Sequence, residues 1–337
     1  MEVAARICRL WKGMMIMETA KKPMIVLTGP TAVGKTKLSI ALAKAVDGEI
    51  LSADSMQVYK HMDIGSAKIT PQEMQGIPHH LIDVLEPWED FNVVTFQKKC
   101  GECLPGIYGR GHIPILTGGT GFYIQALLKQ VDFAEDSQEI SEGDVTYRMQ
   151  LENLAKEKGA AFLHEMLEQA DEASAETIHV NNIKRTIRAL EYYHLTGQRI
   201  SEHNERERQK ESAYNSCYFV LNDTRERLYE RIDKRVDEMM RLGLVDEVRK
   251  LKEMGVKRGM SSMQGLGYKE ILDYLDEDIT LEEAVYLIKR DTRHFAKRQL
   301  TWFRRERDVI WMEKDKFGYD EGRMLEFMMG KLRAAGI

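Results

Sequence analysis

The stretch MIVLTGPTAVGKT, residues 24–36, decides the fold of this chain. An apolar run typical of a buried strand leads directly into G-x-x-x-x-G-K-T, and a helical pattern follows. In such a loop the glycines let successive backbone N–H groups point inward, the lysine adds a positive charge, and the threonine hydroxyl can reach Mg²⁺. We therefore predict a cradle for a di- or triphosphate, with Thr36 as the metal ligand, formed by Gly29, Pro30, Thr31, Ala32, Val33, Gly34, Lys35 and Thr36.

Apolar runs and helical patterns alternate through the first part of the chain. Each run is short, as expected of strands buried in a parallel sheet with helices on both faces. Together with the phosphate loop, this alternation predicts an α/β fold with a P-loop NTPase-like sheet. The predicted strands are residues 24–28, 49–52, 79–85 and 113–117, and the predicted helices are residues 37–46, 91–108 and 122–129.

Residues 131–205 differ in character, because several helical segments follow an acidic stretch and no strand-like run occurs there. We predict an all-helical insertion over this range. A strand then returns the chain to the sheet, so that residues 21–130 and 206–337 form one core. The later elements expected in this core are a strand at 217–222, a long helix near 284–307, an edge strand at 309–312 and a closing helix.

The composition is that of an ordinary soluble protein, with 43% hydrophobic and 31% charged residues among 337. The net charge of −5 gives no overall basic character, so any contact with nucleic acid has to come from a local basic surface. Four cysteines are too few for a disulfide framework in a chain this long. The single CxxC, at Cys100 and Cys103, has no second pair to complete a zinc site, and we interpret it as structural.

No apolar run approaches the length of a membrane-spanning helix, about 18 residues. Residues 1–20 lack the pattern of a secretory signal, and we expect them to form a disordered extension. The sequence therefore predicts a cytoplasmic protein without a membrane span.

The fourth strand runs into TGGTG, residues 117–121, and has no carboxylate where a nucleotide-hydrolysing enzyme usually holds Mg²⁺. Asp83 is one alternative acid. Asp54 is the nearest acid in the expected crevice, because it follows the second strand and ligands of open parallel sheets bind outside the carboxyl ends of strands. A carboxylate facing a diphosphate there, close to Thr120, suits a general base. The competing interpretation is that Asp54 caps the turn that follows it.

Three segments are rich in charge. The helix at residues 224–243 has opposite charges four residues apart, and we interpret it as a solvated face. Residues 288–307 form a basic strip with interleaved aromatic residues, which fits either phosphate binding or a solvated face. The predicted insertion adds a smaller basic cluster at Lys184, Arg185 and Arg188, whose spacing places the first and last on one helical face.

Seven blocks in consistent order over residues 24–312 resemble the tRNA dimethylallyltransferase family, whose members are also called tRNA isopentenyltransferases. Beyond residue 311 the chain has neither Cys nor His, so the resemblance is to the bacterial form, which lacks the zinc finger of the eukaryotic members. The blocks are GPTAVGKT (29–36), SADSMQVYKHMDIGSAK (52–68), PHHLIDV (78–84), ILTGGTGFY (115–123), NNIKRTIRALE (181–191), SMQGLGYKE (262–270) and RHFAKRQLTWFR (293–304).

The resemblance implies a prenyl transfer. In that family, dimethylallyl pyrophosphate gives its five-carbon group to the exocyclic amine of the adenine on the 3′ side of the tRNA anticodon. The phosphate loop holds the pyrophosphate with Mg²⁺, and the adenine is extruded to meet the donor. The expected partners are therefore dimethylallyl pyrophosphate and the anticodon loop of tRNA, and we expect a monomer.

Position by position, the resemblance implies that Asp54 accepts the proton of the adenine amine and that Thr120 lies near the pyrophosphate and the reacting centre. Lys35 is the third expected catalytic residue, and residues 29–36 would bind the pyrophosphate. The residues expected to contact tRNA are Asp54, Ser55, Met56, Gln57, Thr120, Arg148, Lys184, Arg185, Thr186, Ile187 and Arg188.

Three other functions fit part of the sequence. A small-molecule kinase or NTPase would explain the phosphate loop but neither the TGGTG segment nor the remaining blocks. An adenylate isopentenyltransferase would share the core, but we expect less of a helical insertion in such an enzyme. An RNA-binding module with a vestigial phosphate loop conflicts with the presence of Lys35, Thr36 and Asp54.

Overall fold

The computed structural model describes residues 21–133 and 142–337. The predicted N-terminal extension, residues 1–20, and most of the acidic stretch lie outside the described residues. The chain divides into two compact units. One contains the described residues up to Leu128 together with Ala213–Ile337, and the other is Lys129–Ser212.

Six parallel strands form one sheet in the first unit, and β1 lies at its centre. Ile25 of β1 is opposite Ile115 of β4 on one side and opposite Cys217 of β5 on the other. The parallel sheet with flanking helices confirms the predicted α/β fold. The strands are β1 Pro23–Thr28, β2 Gly48–Ala53, β3 His79–His80, β4 Ile113–Gly118, β5 Asn215–Asn222 and β6 Val309–Glu313, in the spatial order β3-β2-β4-β1-β5-β6.

Helices connect these strands and also make up the second unit. Within the second unit, the long helix α5 is interrupted at Gly159, whose φ of 83° is not helical. The α-helices are α1 Lys35–Val46, α2 Pro71–Met74, α3 Val93–Gly109, α4 Gly121–Lys129, α5 Glu142–Ala170, α6 Glu172–Thr177, α7 Ile183–Thr196, α8 Ile200–Gln209, α9 Arg225–Leu242, α10 Leu244–Glu253, α11 Tyr268–Leu275, α12 Leu281–Phe303 and α13 Glu321–Ala334.

The hydrophobic core of the first unit lies on both faces of the sheet. Met24 and Val26 of β1 pack into one cluster, while Ile25 and Leu27 pack into the other. Alternate side chains of a strand point to opposite faces, so a run of consecutive apolar residues is what a strand covered on both sides requires. This explains why the apolar run before the phosphate loop forms the central strand.

The predicted strand at residues 79–85 is wrong in its length. Only His79 and His80 pair with β2, and Leu81 and Asp83 then adopt left-handed conformations with φ of 64° and 54°. A strand cannot continue through such residues. Asp83, the alternative metal-binding acid, is a loop residue whose carboxylate accepts a hydrogen bond from Lys68 Nζ at 2.5 Å.

The two cysteines of the CxxC lie in α3. Burial raises the pKa of both the Cys100 and the Cys103 thiol, which disfavours the thiolate that redox and metal chemistry need. Among residues 21–133 and 142–337, no group of three or more His, Cys, Asp or Glu side chains is placed to hold a metal ion. In the same ranges, no helix combines the length and the apolar character that crossing a bilayer requires.

A buried carboxylate holds the amino-terminal end of β2. Glu49 accepts two hydrogen bonds from the guanidinium of Arg110, both at 2.7 Å, and lies 2.6 Å from His80 Nε2 and 2.7 Å from His112 Nδ1. The bonds to Arg110, and then those to the two histidines, lower the pKa of Glu49 to about 2. This network joins β2 to the edge strand β3 and to the residues that precede β4.

We predict that Glu49→Gln lowers the free energy of unfolding by about 2 kcal/mol at neutral pH, because it removes the charge from a buried, hydrogen-bonded pair. The pKa of Glu49 is depressed in the folded state, so this stabilisation is present above its ordinary value of 4.5 and is lost as the pH falls towards 2. Urea unfolding of both proteins as a function of pH measures the difference. Glu230→Gln, at an exposed ion pair with Lys234, is the control and should change nothing measurable.

Candidate active site

The carboxyl ends of three neighbouring strands bring the predicted catalytic residues to one edge of the sheet. The phosphate loop follows β1, Asp54 follows β2, and Thr120 lies shortly beyond the end of β4. Because β4 lies between β1 and β2, its end is next to both of the others. The Thr120 amide donates to the carbonyl oxygen of Ala53 at 3.2 Å, so Thr120 and Asp54 are carried by adjacent backbone segments.

The phosphate loop reverses its backbone through three residues with positive φ. These are Gly29 at 148°, Ala32 at 61° and Gly34 at 101°, and α1 begins directly after them at Lys35. A Cβ atom on Gly29 would lie 2.2 Å from the carbonyl oxygen of Leu221, so only glycine fits there. The first turn of α1 leaves its N–H groups without intrahelical acceptors, as an anion site requires.

Cationic side chains bind the carbonyl oxygens of the phosphate loop. With these carbonyls bound by cations, the N–H groups at the start of α1 can face an anion. The contacts are Lys35 Nζ with Gly29 O and Pro30 O, both at 2.9 Å, Arg231 Nε with Ala32 O at 2.8 Å, and Lys314 Nζ with Val33 O at 3.1 Å.

These cations crowd one another. Burial, and then the nearby Arg235, lowers the pKa of Lys35 to about 8, while the Asp54 carboxylate acts in the opposite direction. The pKa of Lys314 is lowered by burial and then by Arg231. Positive groups held together at a cost in free energy indicate a site for a multiply charged anion.

Asp54 caps the following turn and also faces the phosphate loop. Its Oδ1 accepts hydrogen bonds from the amides of Met56 at 2.9 Å and Gln57 at 3.4 Å, while Oδ2 takes no part in these bonds. The two interpretations of Asp54 do not exclude each other, because these two bonds to the turn use only one of its carboxylate oxygens. Ser55, Met56 and Gln57 are half-buried, as is Asp54 itself.

A second set of contacts holds the loop after Gln57. The Gln57 side chain donates through Nε2 to the backbone carbonyls of Ser66 and Ala67, at 3.4 and 3.3 Å. Glu247 of α10 accepts hydrogen bonds from three consecutive backbone amides of residues 63–65 and from the Tyr268 hydroxyl, which in turn accepts one from the Ser66 amide. Neither Glu247 nor Tyr268 was predicted from the sequence as a site residue.

Thr36 lies exposed in the first turn of α1, next to Lys35. Its hydroxyl is the one protein ligand that the sequence predicts for a metal. The described residues offer no cluster of three acidic or histidine side chains at this edge. These residues fit a Mg²⁺ ion that takes most of its ligands from a diphosphate and water, which is a common arrangement for this ion.

In the second unit, the predicted tRNA-binding residues of α7 divide between two faces. Lys184 and Arg185 are exposed and Arg188 is half-buried. Thr186 and Ile187 are only 1% and 5% exposed, and Ile187 belongs to the core of this unit. The side chains of these two residues pack inside the unit, and their contact with tRNA stays a prediction.

Arg148, another predicted tRNA contact, joins two helices of the second unit. Its guanidinium donates two hydrogen bonds of 2.7 Å to the carboxylate of Glu191, which is 9% exposed. This bidentate pair ties α5 to α7 and provides a charged partner for a largely buried carboxylate. Arg148 therefore has a structural role in the state described.

The basic strip of residues 288–307 is partly neutralised. Several of its cations are paired with acids, while Lys297, Arg304, Arg305 and Arg307 are exposed. The strip therefore offers fewer unpaired charges than its sequence indicates. The paired members are Lys289 with Asp237 at 2.5 Å, Arg290 with Asp291 at 2.8 Å and Arg293 with Asp233 at 2.9 Å.

Comparison with known proteins identifies the family of the chain. The family model described as IPP transferase matches residues 57–306, and a second one, isopentenyl transferase, matches residues 23–84. The chain belongs to the IPP transferase family. A tRNA dimethylallyltransferase of Lachnoclostridium phytofermentans is 59% identical over 307 residues, which cover 91% of this chain and 96% of that protein. The corresponding protein of Carboxydothermus hydrogenoformans is 51% identical over 293 residues, or 87% and 92% of the two chains.

Solved structures of this family have the same fold. The tRNA isopentenylpyrophosphate transferase of Bacillus halodurans is 43% identical and aligns with a TM-score of 0.68 over 94% of this chain and 98% of its own. A eukaryotic dimethylallyltransferase acting on tRNA is 31% identical and aligns with a TM-score of 0.73 over 87% and 74% of the two chains. Membership of the IPP transferase family does not favour the kinase, adenylate isopentenyltransferase or RNA-binding alternatives.

Residues of this IPP transferase that hold the phosphate loop were missed in the sequence. Arg231 and Arg235 lie four residues apart in α9, which we interpreted as a solvated face, and Arg235 is 3.4 Å from the Thr31 hydroxyl. Arg235 is half-buried, so that interpretation is wrong for this residue, whereas Arg231 is exposed and also binds the loop. Their i,i+4 spacing places two positive charges on one helical face and was a usable signal, whereas no local pattern indicated Lys314.

We predict that the affinity for inorganic pyrophosphate falls as the pH rises above about 8, because Lys35 then loses the proton that attracts the anion. The fall should approach about tenfold per pH unit, the limit for one titrating group. Lys35→Arg is the matched control, since its guanidinium stays charged over the same range. Isothermal titration calorimetry of both proteins separates the effect of Lys35 deprotonation on affinity from the effect of pyrophosphate's own protonation. If the affinities of the two proteins change with pH in parallel, Lys35 is not the titrating group.

Proposed function

We propose that this chain transfers the dimethylallyl group from dimethylallyl pyrophosphate to the exocyclic amine of the adenine 3′-adjacent to the anticodon in tRNA. The observation that carries the proposal is the meeting of a phosphate loop, the Asp54 carboxylate and Thr120 at one edge of the sheet. Two relatives, 59% and 51% identical, are named tRNA dimethylallyltransferase, and one structural neighbour is described as acting on tRNA.

The phosphate loop supports the departure of pyrophosphate. In the proposed reaction, the bond between the allylic carbon and the pyrophosphate oxygen breaks, and a bond forms between that carbon and the adenine amine. Negative charge grows on the leaving pyrophosphate, where the loop N–H groups, Lys35 and the nearby arginines stabilise it. No phosphoryl group moves, so the chain does not need the metal-binding acid that β4 lacks.

Asp54 accepts the proton that the amine loses. An adenine amine is a poor nucleophile, and a carboxylate within hydrogen-bond reach removes its proton as the new bond forms. The bonds from the Met56 and Gln57 amides hold Oδ1, so Oδ2 is the oxygen that takes the proton. We propose that Thr120, on the adjacent backbone, binds near the reacting centre.

A divalent metal, proposed as Mg²⁺, would be held by the Thr36 hydroxyl together with the diphosphate. When bound, it supplies positive charge that neutralises the pyrophosphate. The residues of the chain then act around it, because the loop amides orient the diphosphate and Lys35 adds a second positive charge.

Local positive surfaces are proposed to bind tRNA in a chain whose net charge is −5. In the second unit these are Lys184, Arg185 and Arg188. In the first unit they are the exposed members of the basic strip, at its carboxyl end. Phosphate contacts of this kind fix the position of the nucleic acid, while the adenine is identified in the pocket that it enters.

The proposal is tested with purified protein, Mg²⁺, labelled dimethylallyl pyrophosphate and either tRNA or AMP. Label that enters tRNA but not AMP supports it. Label in AMP alone would indicate an adenylate isopentenyltransferase, and phosphate release from ATP without prenyl transfer would indicate a kinase or NTPase.

We predict that Asp54→Asn lowers kcat by about 10²–10⁴-fold, which is the range for loss of a general base. The asparagine side-chain oxygen can still accept hydrogen bonds from the Met56 and Gln57 amides, so the affinity for tRNA should stay within about twofold of the unaltered protein. Single-turnover kinetics and filter binding measure the two effects. If transfer persists in Asp54→Asn, another group is the base.

We also predict that Lys184→Ala and Arg185→Ala each weaken tRNA binding, by about fivefold, and reduce the slope of log affinity against log salt by about 1. Both side chains are exposed, so the fold should not change. Lys156→Ala, at another exposed lysine of the second unit, is the control. If the slope of log affinity against log salt is unchanged in the two variants, Lys184 and Arg185 do not contact the phosphates of tRNA.

A further inference from the structure

A buried amide connects the two loops of the candidate site. Gln299, on α12, is 6% exposed. Its Oε1 accepts a hydrogen bond from the Thr31 amide of the phosphate loop, and its Nε2 donates one to the Gly119 carbonyl, both at 2.9 Å. Gln299 lies 268 residues from Thr31 and 180 residues from Gly119 along the chain, so these contacts exist only in the folded protein.

The chemistry of the amide matches this position. A glutamine side chain combines one acceptor and two donors, and here an N–H group and a carbonyl group face its two ends. Only one orientation of the amide satisfies both partners. Removing either bond would leave a buried backbone group without a partner, which is costly in free energy.

Glycine at position 119 is explained by the same contact. A Cβ atom there would lie 2.1 Å from Gln299 Nε2 and 3.8 Å from the carbonyl oxygen of Gly29. Gly119 does not have a positive φ, so its backbone conformation does not itself require glycine. Position 119 therefore needs glycine because the amide occupies the space that a side chain would take.

The bond to Thr31 also limits which N–H groups of the phosphate loop can bind an anion. The Thr31 amide is engaged by Gln299 and is not available to a phosphate in this arrangement. The donors left for an anion come from the later residues of the loop and from the first turn of α1. Thr31 therefore anchors the loop, which refines the prediction that every residue from Gly29 to Thr36 binds pyrophosphate.

We infer that Gln299 is a positioning residue that sets the phosphate loop and the Thr120 loop at a fixed separation. The inference rests on the proposed function, in which one loop holds the leaving pyrophosphate and the other lies at the reacting centre. Transfer rates depend steeply on such separations, since reacting groups have to be held within a fraction of an ångström. Gln299 touches neither substrate in this account and acts through both loops.

The first test is Gln299→Met, which keeps the length of the side chain and removes both hydrogen bonds. We expect the Kd for inorganic pyrophosphate with Mg²⁺ to rise by about tenfold and kcat to fall by about tenfold or more, as when a supporting contact of a site is lost. The Kd for tRNA should not change. Thr301→Ala is the control, because Thr301 is exposed on the same helix and its hydroxyl donates to the Lys297 carbonyl of that helix.

A double-mutant cycle gives a readout that a general loss of stability would not produce. Gly119→Ala alone should raise the pyrophosphate Kd by about tenfold, because the new methyl group displaces the amide. In a Gln299→Ala background the space is empty, so adding Gly119→Ala should change the Kd by less than about twofold. Additive effects, or unchanged pyrophosphate binding and kcat in Gln299→Met, would overturn the inference.

The two proposals can fail separately. Pyrophosphate binding and the double-mutant cycle use no tRNA, so they report on Gln299 even if the unaltered protein transfers no prenyl group to tRNA. A failure of the unaltered protein to transfer the prenyl group to tRNA would overturn the proposed function and leave the role of Gln299 in pyrophosphate binding standing.

Discussion

The binding of the phosphate-loop carbonyls by cationic side chains is the constraint on which the rest of the site depends. A tight backbone turn brings N–H and C=O groups together, and it attracts anions only if the carbonyls are held away. Lys35, Arg231 and Lys314 do this from three different parts of the chain. The loop is therefore a product of the whole first unit, since α9 and the segment after β6 have to be in place before the N–H groups can bind a phosphate.

Contacts from the surrounding fold also hold the residues at the other two strand ends. Asp54 uses one oxygen to cap its turn, so that the fold itself orients the carboxylate. The Thr120 loop is held by the Ala53 carbonyl on one side and by Gln299 on the other. Preorganisation of this kind lets an enzyme stabilise a transition state without rearranging its own dipoles when the reaction occurs.

Local patterns in the sequence predicted the sheet well, because a central strand buried on both faces has to be apolar throughout. They also placed Asp54, Thr120 and the phosphate loop at strand ends, which parallel topology brings to one edge. The prediction of a strand over 79–85 is wrong because Leu81 and Asp83 take left-handed conformations, and the sequence there has no glycine that would indicate them. Thr186 and Ile187 are predicted to contact tRNA from their position in a motif, and the motif alone does not show that they lie on the buried face of α7. Gln299 and Lys314 depend on contacts across the fold, which no local pattern encodes.

Strand β2 has a carboxylate at each end, and the two have different tasks. Glu49 lies in a buried network with Arg110 and two histidines, while Asp54 faces the phosphate loop. Five residues of extended chain separate them by about 16 Å. Substitutions around Glu49 can therefore change the stability of the protein to heat or acid without altering residues near the reacting atoms. The residue that stabilises β2 and the proposed catalytic carboxylate are therefore separate, so that stability can change without a change at the reacting atoms.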